Sequence, residues 1–317
     1  MWFVSEWVSE FDYPPISGIL FIVLVITVFY TNIRTRIRKP SDLSNEVVVI
    51  TGGASGIGRL LAIDLLTKHH CRVVIWDVNV EALQTLQTEL ETSMLTDRFR
   101  CDAVDVTNRH QVYATARLVL QQFQRVDILI NNAGIVQGKP FLQTTDELIE
   151  RTLQINTLSH FWTLRAFLPK MMERNHGHVV SVSSMAGLVG IANMMDYSAS
   201  KHAVVGLSES LRTEMKRLNL EVHSTCVCPF FVRTGMFAGA TAPHWCFGWL
   251  VPLLEPQYVV DRMIEAIRYK ETFLVLPAFC HYVVPLLYGV LPRWIIDGIF
   301  EVVGALPRSN ITVPKLR

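Results

Sequence analysis

Short apolar runs alternate with amphipathic stretches along most of this chain, from residue 47 to residue 276. The apolar runs are rich in Val and Ile and only a few residues long, which is typical of β-strands. The stretches between them have the spacing of helices that cover an apolar sheet face. The predicted strands are 47–50, 72–76, 99–104, 127–130, 178–183, 221–228 and 273–276. The predicted helices are 56–68, 80–91, 109–123, 145–173, 196–218 and 257–269.

Most of the predicted strands are apolar along their whole length instead of alternating between apolar and polar positions. Such strands belong to parallel sheets that are covered by helices on both faces. We therefore predict the α/β class, with a doubly wound, Rossmann-type parallel sheet of about seven strands. This sheet forms a single domain over residues 41–280.

The first forty residues have a different composition. An acidic, aromatic start is followed by an uncharged run over residues 16–31 and a basic cluster over residues 34–39. The run is shorter than the roughly twenty residues of a full span, so an interfacial or hairpin insertion remains an alternative. The acidic start does not fit a cleavable signal peptide. We predict a membrane anchor in residues 1–40, with the following domain on the cytosolic side because of the basic cluster.

Two further apolar stretches, 245–254 and 279–306, do not belong to the predicted sheet. Each is either part of the core or a hydrophobic substrate mouth that lies against a membrane. We assign residues 281–317 to an apolar, helical C-terminal extension that faces the membrane or the substrate.

The composition of the chain argues against several classes of function. Half of the 317 residues are apolar, and the net charge of +1 gives no electrostatic case for binding nucleic acid. The mean hydropathy of +0.30 is high for a purely soluble enzyme. The six cysteines include no C-x-x-C pair, so we expect reduced thiols, no disulfide and no metal site.

A glycine-rich turn, Gly52-x-x-x-Gly56-x-Gly58, lies between the first strand and the first helix. Glycine allows close backbone approach, and a helix N-terminus favours anions, so this turn is suited to a pyrophosphate. Asp77 ends the second strand, nineteen residues after Gly58. A carboxylate there accepts hydrogen bonds from ribose hydroxyls and repels a 2′-phosphate, which favours NAD over NADP.

Tyr197 and Lys201 are four residues apart in a predicted helix and therefore share one face. A nearby ammonium favours the phenolate, so we expect Lys201 to lower the pKa of Tyr197 and to permit proton exchange near neutral pH. An isolated pair of this kind is more often an ordinary helix surface. The surrounding motifs decide between the two interpretations.

Together the motifs resemble the short-chain dehydrogenase/reductase family, over roughly residues 45–280. Four ordered features carry the resemblance: Thr51-Gly-x-x-x-Gly56-Ile-Gly58, Asn131-Asn-Ala-Gly134, Ser184, and Tyr197-x-x-x-Lys201. Spacing to Tyr197 selects Ser184 over its neighbour Ser183. One departure is Phe230, which stands where the family usually has glycine and crowds the wall beside the nicotinamide.

The resemblance implies that Tyr197 is the acid/base, that Lys201 also holds the nicotinamide ribose, and that Ser184 positions the substrate oxygen. It implies that Asn156 holds a water in a proton relay. The predicted cofactor-binding residues are Thr51, Gly52, Ser55, Gly56, Ile57, Gly58, Asp77, Asp105, Val106, Asn132, Ala133, Gly134, Tyr197, Lys201, Pro229, Val232 and Thr234. The predicted substrate-facing residues are Ser184, Met185, Met194, Met195 and Phe237.

Within the family, the anchor, the apolar tail and the segments 75–79 and 228–236 are similar to membrane-associated retinol and 17-beta-hydroxysteroid dehydrogenases. This likeness implies an NAD-dependent enzyme that interconverts a lipophilic alcohol, of retinol, steroid or fatty-chain type, and its carbonyl. It also implies homodimers at the endoplasmic reticulum membrane or the lipid-droplet surface, with the catalytic domain in the cytosol. The alternative is a catalytically idle surface scaffold that has kept the dehydrogenase fold.

Overall fold

The computed structural model describes residues 39–93, 97–235 and 253–303. The predicted anchor, Phe237 and most of the stretch 245–254 lie outside the described residues. The strands are Val47–Thr51 (β1), Arg72–Asp77 (β2), Phe99–Ala103 (β3), Ile128–Asn131 (β4), Gly177–Val182 (β5), Val222–Pro229 (β6) and Phe273–Leu276 (β7). The α-helices are Gly56–Thr67 (α1), Val80–Thr92 (α2), Arg109–Phe123 (α3), Asp146–Leu153 (α4), Ser159–Glu173 (α5), Met195–Arg217 (α6), Pro256–Tyr269 (α7), Cys280–Val290 (α8) and Arg293–Val303 (α9).

The seven strands form one sheet in the order β3-β2-β1-β4-β5-β6-β7. Every neighbouring pair is parallel. The strand order reverses between β1 and β4, and in doubly wound sheets a ligand crevice opens at the carboxyl ends of the strands at such a reversal. The predicted fold class is therefore confirmed, and the topology places the crevice beside the glycine-rich turn.

Two apolar layers cover the sheet. Val48 and Ile50 face a core that includes residues of α1, α2 and α7. Val47 and Val49 face a second core, to which α3, α5 and α6 contribute. Alternate side chains of one strand point to opposite faces, so a strand between two helical layers is apolar at every position.

The predicted single helix over residues 145–173 is wrong in its middle. The chain forms α4, then one turn of π-helix at Gln154–Leu158, and only then α5. A π turn inserts one residue into a helix without interrupting the run of helix-forming side chains, so the sequence pattern does not reveal it. The inserted turn contains Asn156, one of the predicted catalytic residues.

The C-terminal part of the described chain forms α8 and α9. Among the described residues, we find no helix with both the length and the apolar character that a membrane span requires. Large exposed apolar side chains follow one another along α8 at helical spacing. They are Phe279, Val283, Leu286 and Val290, with Trp294 next in α9. The anchor and the domain boundaries stay predictions.

Candidate active site

A cavity of about 580 Å³ opens at the carboxyl ends of the central strands. Most of the predicted cofactor residues line it: Gly52, Ser55, Gly56, Ile57, Asp77, Asp105, Val106, Asn132, Ala133, Gly134, Tyr197, Lys201, Pro229, Val232 and Thr234. Ser184, from the predicted substrate set, lines the same cavity. The chain therefore brings four separate sequence motifs to one site.

The glycine-rich turn enters α1 through two left-handed positions. Gly52 has φ +63° and Gly56 has φ +52°, conformations that glycine adopts without strain. A Cβ at Gly58 would lie 2.1 Å from the Gly52 carbonyl oxygen. Ser55 is the N-cap of α1 and lines the cavity, so the unpaired N–H groups of the first helical turn lie beside it. This arrangement suits a phosphate group.

Thr51 and Asn132 support the turn from behind. The Thr51 hydroxyl accepts hydrogen bonds from the backbone N–H groups of Asn132 and Ala133, both at 3.1 Å. The Asn132 amide donates to the carbonyl oxygens of Thr51 at 3.1 Å and Gly52 at 2.9 Å. The end of β1 and the end of β4 are thereby locked together. Thr51 is itself buried, so it acts on the cavity through its neighbours.

Asp77 has a fixed carboxylate at the cavity wall. Its Oδ2 accepts from the Ala54 N–H and its Oδ1 from the Asn79 N–H, both at 3.0 Å. Ala54 belongs to the glycine-rich turn, so Asp77 and the turn hold each other in position. The carboxylate keeps further lone pairs that can accept hydroxyl hydrogen bonds.

Tyr197 and Lys201 meet in the buried wall of the cavity. The Lys201 Nζ lies 5.7 Å from the Tyr197 ring centre, and it donates a 2.9 Å hydrogen bond to the Val182 carbonyl oxygen. The Ser184 hydroxyl accepts a hydrogen bond from the Ala186 N–H at 3.1 Å, and its interaction with the Tyr197 phenol lowers the pKa of that phenol. The neighbouring Ser183 hydroxyl instead donates to the Lys201 carbonyl oxygen at 2.8 Å. The two adjacent serines therefore have different partners: Ser184 acts on the Tyr197 phenol, and Ser183 binds the backbone of α6.

The prediction that the pKa of Tyr197 is lowered is wrong. Burial raises the pKa of Tyr197 to about 12, although the Ser184 hydrogen bond opposes the rise. Burial also lowers the pKa of Lys201 to about 8. Desolvation disfavours the charged form of both groups, and the Lys201 amine points to the Val182 carbonyl. The lysine nevertheless keeps its proton at pH 7, because its pKa stays above that pH.

Asn156 is a buried clamp between two elements. Its Oδ1 accepts from the Ile135 N–H at 2.8 Å. Its Nδ2 donates to the Ile135 carbonyl oxygen at 2.9 Å and to the Ser200 hydroxyl at 3.0 Å. The side chain therefore fixes the segment after β4 against α6. Its predicted role in a proton relay stays a prediction.

The predicted substrate methionines lie apart from the cavity lining. Met185 is buried in a small cluster with Cys226, Cys228 and Cys280. Met194 and Met195 lie at the start of α6, and Met195 is 59% exposed. Several lining residues were absent from the predicted set: Val78, Val104, Thr107, Ile135, Glu147, Glu150, Arg151, Gln154, Ile155, Val182, Ser183, Phe230 and Gly235. Those of α4 and the π turn reach the site through the packing of that helix, which the sequence does not indicate.

A second cluster, of metal-ligating type, lies at the opposite edge of the sheet. Ligand atoms of Glu46, Asp127 and His176 lie within 4.8 Å of one another. Arg125 and Arg174 both form ion pairs with Asp127, whose Oδ2 also accepts from a backbone N–H. Two guanidinium groups already supply the positive charge that a metal would bring. We therefore interpret the cluster as an ion-pair network that joins the starts of β1 and β4.

The chain is similar in sequence to known enzymes. The profile of the family described as short chain dehydrogenase matches residues 46–244. The Mus musculus protein epidermal retinol dehydrogenase 2 is 41% identical over 259 residues, which cover 81% of this chain and 82% of that protein. The Pongo abelii protein estradiol 17-beta-dehydrogenase 11 is 37% identical over 242 residues, which cover 76% of this chain and 78% of that protein.

The fold is also found among solved structures. A short chain dehydrogenase/reductase from Burkholderia phymatum in complex with NAD has a TM-score of 0.70 and 27% sequence identity with this chain. The match covers 78% of this chain and 95% of that one. The similarity therefore spans nearly all of the bacterial protein.

Proposed function

The chain belongs to the short-chain dehydrogenase family and is an oxidoreductase that acts on CH–OH donors, and we propose that it interconverts a lipophilic alcohol and its carbonyl with NAD(H). One observation carries the proposal. The glycine-rich turn, Asp77 and the group of Ser184, Tyr197 and Lys201 all line one cavity. A dinucleotide site and an acid/base site within one cavity are what a hydride-transferring enzyme requires.

The residues present fit a nicotinamide dinucleotide. The left-handed glycines and the start of α1 suit the pyrophosphate, and Asp77 suits the hydroxyls of the adenosine ribose. When bound, this cofactor accepts or returns a hydride at the substrate carbon. We assign Lys201 to the nicotinamide ribose, because it lines the same cavity beside Tyr197.

Tyr197 supplies the proton chemistry. In the oxidation direction its phenolate takes the hydroxyl proton of the alcohol. The Ser184 hydroxyl and the Tyr197 phenol both hydrogen-bond the reacting oxygen and stabilise the charge that develops on it. The buried position that raises the pKa of Tyr197 also makes its anion a strong base. The interaction with the Ser184 hydroxyl favours formation of that anion.

We expect Asp77→Asn to weaken the preference for NAD over NADP. The amide oxygen can still accept from the Ala54 N–H, but the charge that repels a 2′-phosphate is gone. The ratio of kcat/KM values for NAD and NADP should fall about tenfold, equal to about 1.4 kcal/mol. Steady-state kinetics with both cofactors measure this ratio. The matched control is Glu81→Gln in the first turn of α2, which should leave it unchanged. An unchanged ratio in Asp77→Asn would contradict the assignment.

The lipophilic substrate is supported by the relatives, which are named as retinol and estradiol dehydrogenases. Full-length protein in microsomes should be assayed with retinol, estradiol and a polar sugar alcohol, each with NAD and NADP. We expect turnover of a lipophilic alcohol with NAD. Preference for the sugar alcohol would refute the lipid substrate. Failure to bind NAD in calorimetry would favour the alternative of an idle scaffold.

A membrane surface is part of the proposal. The stripe formed by Phe279, Val283, Leu286 and Val290 lies on one side of α8 and is exposed, as an interfacial helix requires. The full-length double variant Val283→Asp, Leu286→Asp should raise KM for a substrate presented in vesicles, but not for one dissolved in water. The control is Leu118→Asp on α3, which is also half exposed. Equal behaviour of the two variants would argue against membrane contact through α8. Homodimer formation stays a prediction.

A further inference from the structure

Three buried side chains behind the catalytic lysine carry polar atoms that the mechanism does not use. His160 on α5 is 1% exposed, and neither of its ring nitrogens has a hydrogen-bond partner among the described residues. The same holds for the Asn131 Nδ2 and the Ser181 Oγ. Asn131 and Ser181 are register partners on the adjacent strands β4 and β5, so their side chains point to the same sheet face.

Packing brings His160 to these strand ends. Thr163 lies three residues after His160 on α5 and therefore on the same side of the helix. Its hydroxyl donates to the Asn131 Oδ1 at 2.7 Å, which fixes that side of α5 against the end of β4. Lys201 reaches the same region, because its Nζ donates to the carbonyl of Val182, the residue after Ser181. α5, which carries His160, therefore packs on the sheet face that carries Asn131 and Ser181, and Lys201 is close enough to His160 to lower the pKa of the imidazole.

Polar atoms buried in this way are costly unless they are paired. An unsatisfied buried donor or acceptor loses the hydrogen bonds that it makes to water in the unfolded chain, and here four atoms of three side chains are affected. Proteins commonly resolve such clusters with an internal water that makes two to four hydrogen bonds. We propose that His160, Asn131 and Ser181 form an internal water site behind Lys201, and that His160 is a positioning residue that supports the lysine ammonium through it.

The protonation states agree with this role. Burial, and then repulsion by Lys201, lower the pKa of His160 to about 3, so the imidazole stays neutral at neutral pH. A neutral ring accepts a hydrogen bond at one nitrogen and donates at the other, so it can orient a water toward an ammonium. Within residues 39–93, 97–235 and 253–303, the titratable groups that act on Lys201 are Tyr197, whose ring centre is 5.7 Å from the Nζ, and the thiols of Cys226 and Cys228. None of these groups is a carboxylate, so the Lys201 ammonium is stabilised by dipoles such as the Val182 carbonyl.

The proposal rests on the proposed function, because its kinetic test follows the Lys201 ammonium during turnover. In full-length protein, His160→Phe fills the site with an apolar ring and should lower the pKa of Lys201. The alkaline limb of the pH profile of kcat/KM should then move down by about one pH unit. His160→Gln, which keeps polar atoms there, should leave the limb in place. A role in packing alone would lower kcat/KM at every pH without moving the limb.

Kinetics of Ser181→Ala and a crystal structure give two further tests. Ser181→Ala, a change of one oxygen atom, should move the alkaline limb in the same direction by a smaller amount, and it decides the matter if His160→Phe does not fold. The proposal would be overturned if the alkaline limb does not move in Ser181→Ala, or if it moves equally in His160→Gln and His160→Phe.

A high-resolution crystal structure of the full-length protein gives a readout independent of turnover. Ordered water within hydrogen-bond distance of His160 and Ser181 supports the proposal, and a dry site overturns it. An inactive but hydrated protein would refute the proposed function alone.

Discussion

Replacing Tyr197 by phenylalanine should abolish turnover and leave cofactor binding intact. Tyr197 is only 5% exposed and lies beside Ser184 and Lys201, and we assign the exchange of the substrate proton to its phenol. General acid–base catalysis contributes about 10²–10⁴-fold, so kcat should fall about a thousandfold or more. The ring that packs against the core is kept, so the fold and the affinity for NAD should change little. Steady-state kinetics and calorimetric titration with NAD measure the two effects separately.

The matched control is Tyr258→Phe on α7, which loses the same atom from a residue that is 44% exposed and outside the cavity lining. Its turnover should equal that of the unchanged protein. Undiminished turnover in Tyr197→Phe would exclude Tyr197 as the acid/base. Loss of both turnover and NAD binding would instead indicate a structural role.

The second large effect is expected for Gly58→Ala in the turn that opens α1. The added Cβ would lie 2.1 Å from the Gly52 carbonyl oxygen and 2.7 Å from the Asn132 Nδ2. Backbone must therefore move, and the hydrogen bond from Asn132 to the Gly52 carbonyl breaks. Overpacking of this kind costs about 3 kcal/mol of the free energy of unfolding. Because the same turn suits the pyrophosphate, the affinity for NAD should fall more than about tenfold.

Gly206→Ala is the control for this change. Gly206 lies in the middle of α6, and a Cβ there meets no heavy atom within 4 Å. Alanine is the better helix former by about 1 kcal/mol, so this variant should be at least as stable as the unchanged protein. Thermal unfolding followed by circular dichroism compares the two. Equal stability of Gly58→Ala and Gly206→Ala would show that the turn relaxes without cost.

Much of the site could be predicted because its motifs are local. The apolar strands and the glycines of the first turn are separated by fixed numbers of residues, and topology brings strand ends together at one edge. Asp77 could be assigned at the end of β2 because its position follows from strand and helix lengths. The selection of Ser184 over Ser183 also came from spacing alone, and the structure turns the first toward the phenol and the second toward the Lys201 backbone.

Other features depend on contacts between distant parts of the chain. Asn156 meets Ile135 and Ser200, twenty-one and forty-four residues away, and the π turn that places it leaves no mark on the apolar pattern. Met185 is apolar and was predicted to face the substrate, but its side chain packs in a buried cluster beside β6. These placements follow from packing geometry, which residue spacing does not determine.

The fold class and the four motifs could be predicted from the chain alone, because each depends on local periodicity and on residue order. The pKa values of Tyr197 and Lys201 depend instead on the folded surroundings. The pKa of Tyr197 rises, opposite to the prediction from the sequence, and that of Lys201 falls. The physical reason is desolvation, which depends on what surrounds a group in three dimensions. The same burial isolates the polar atoms of His160 behind the lysine.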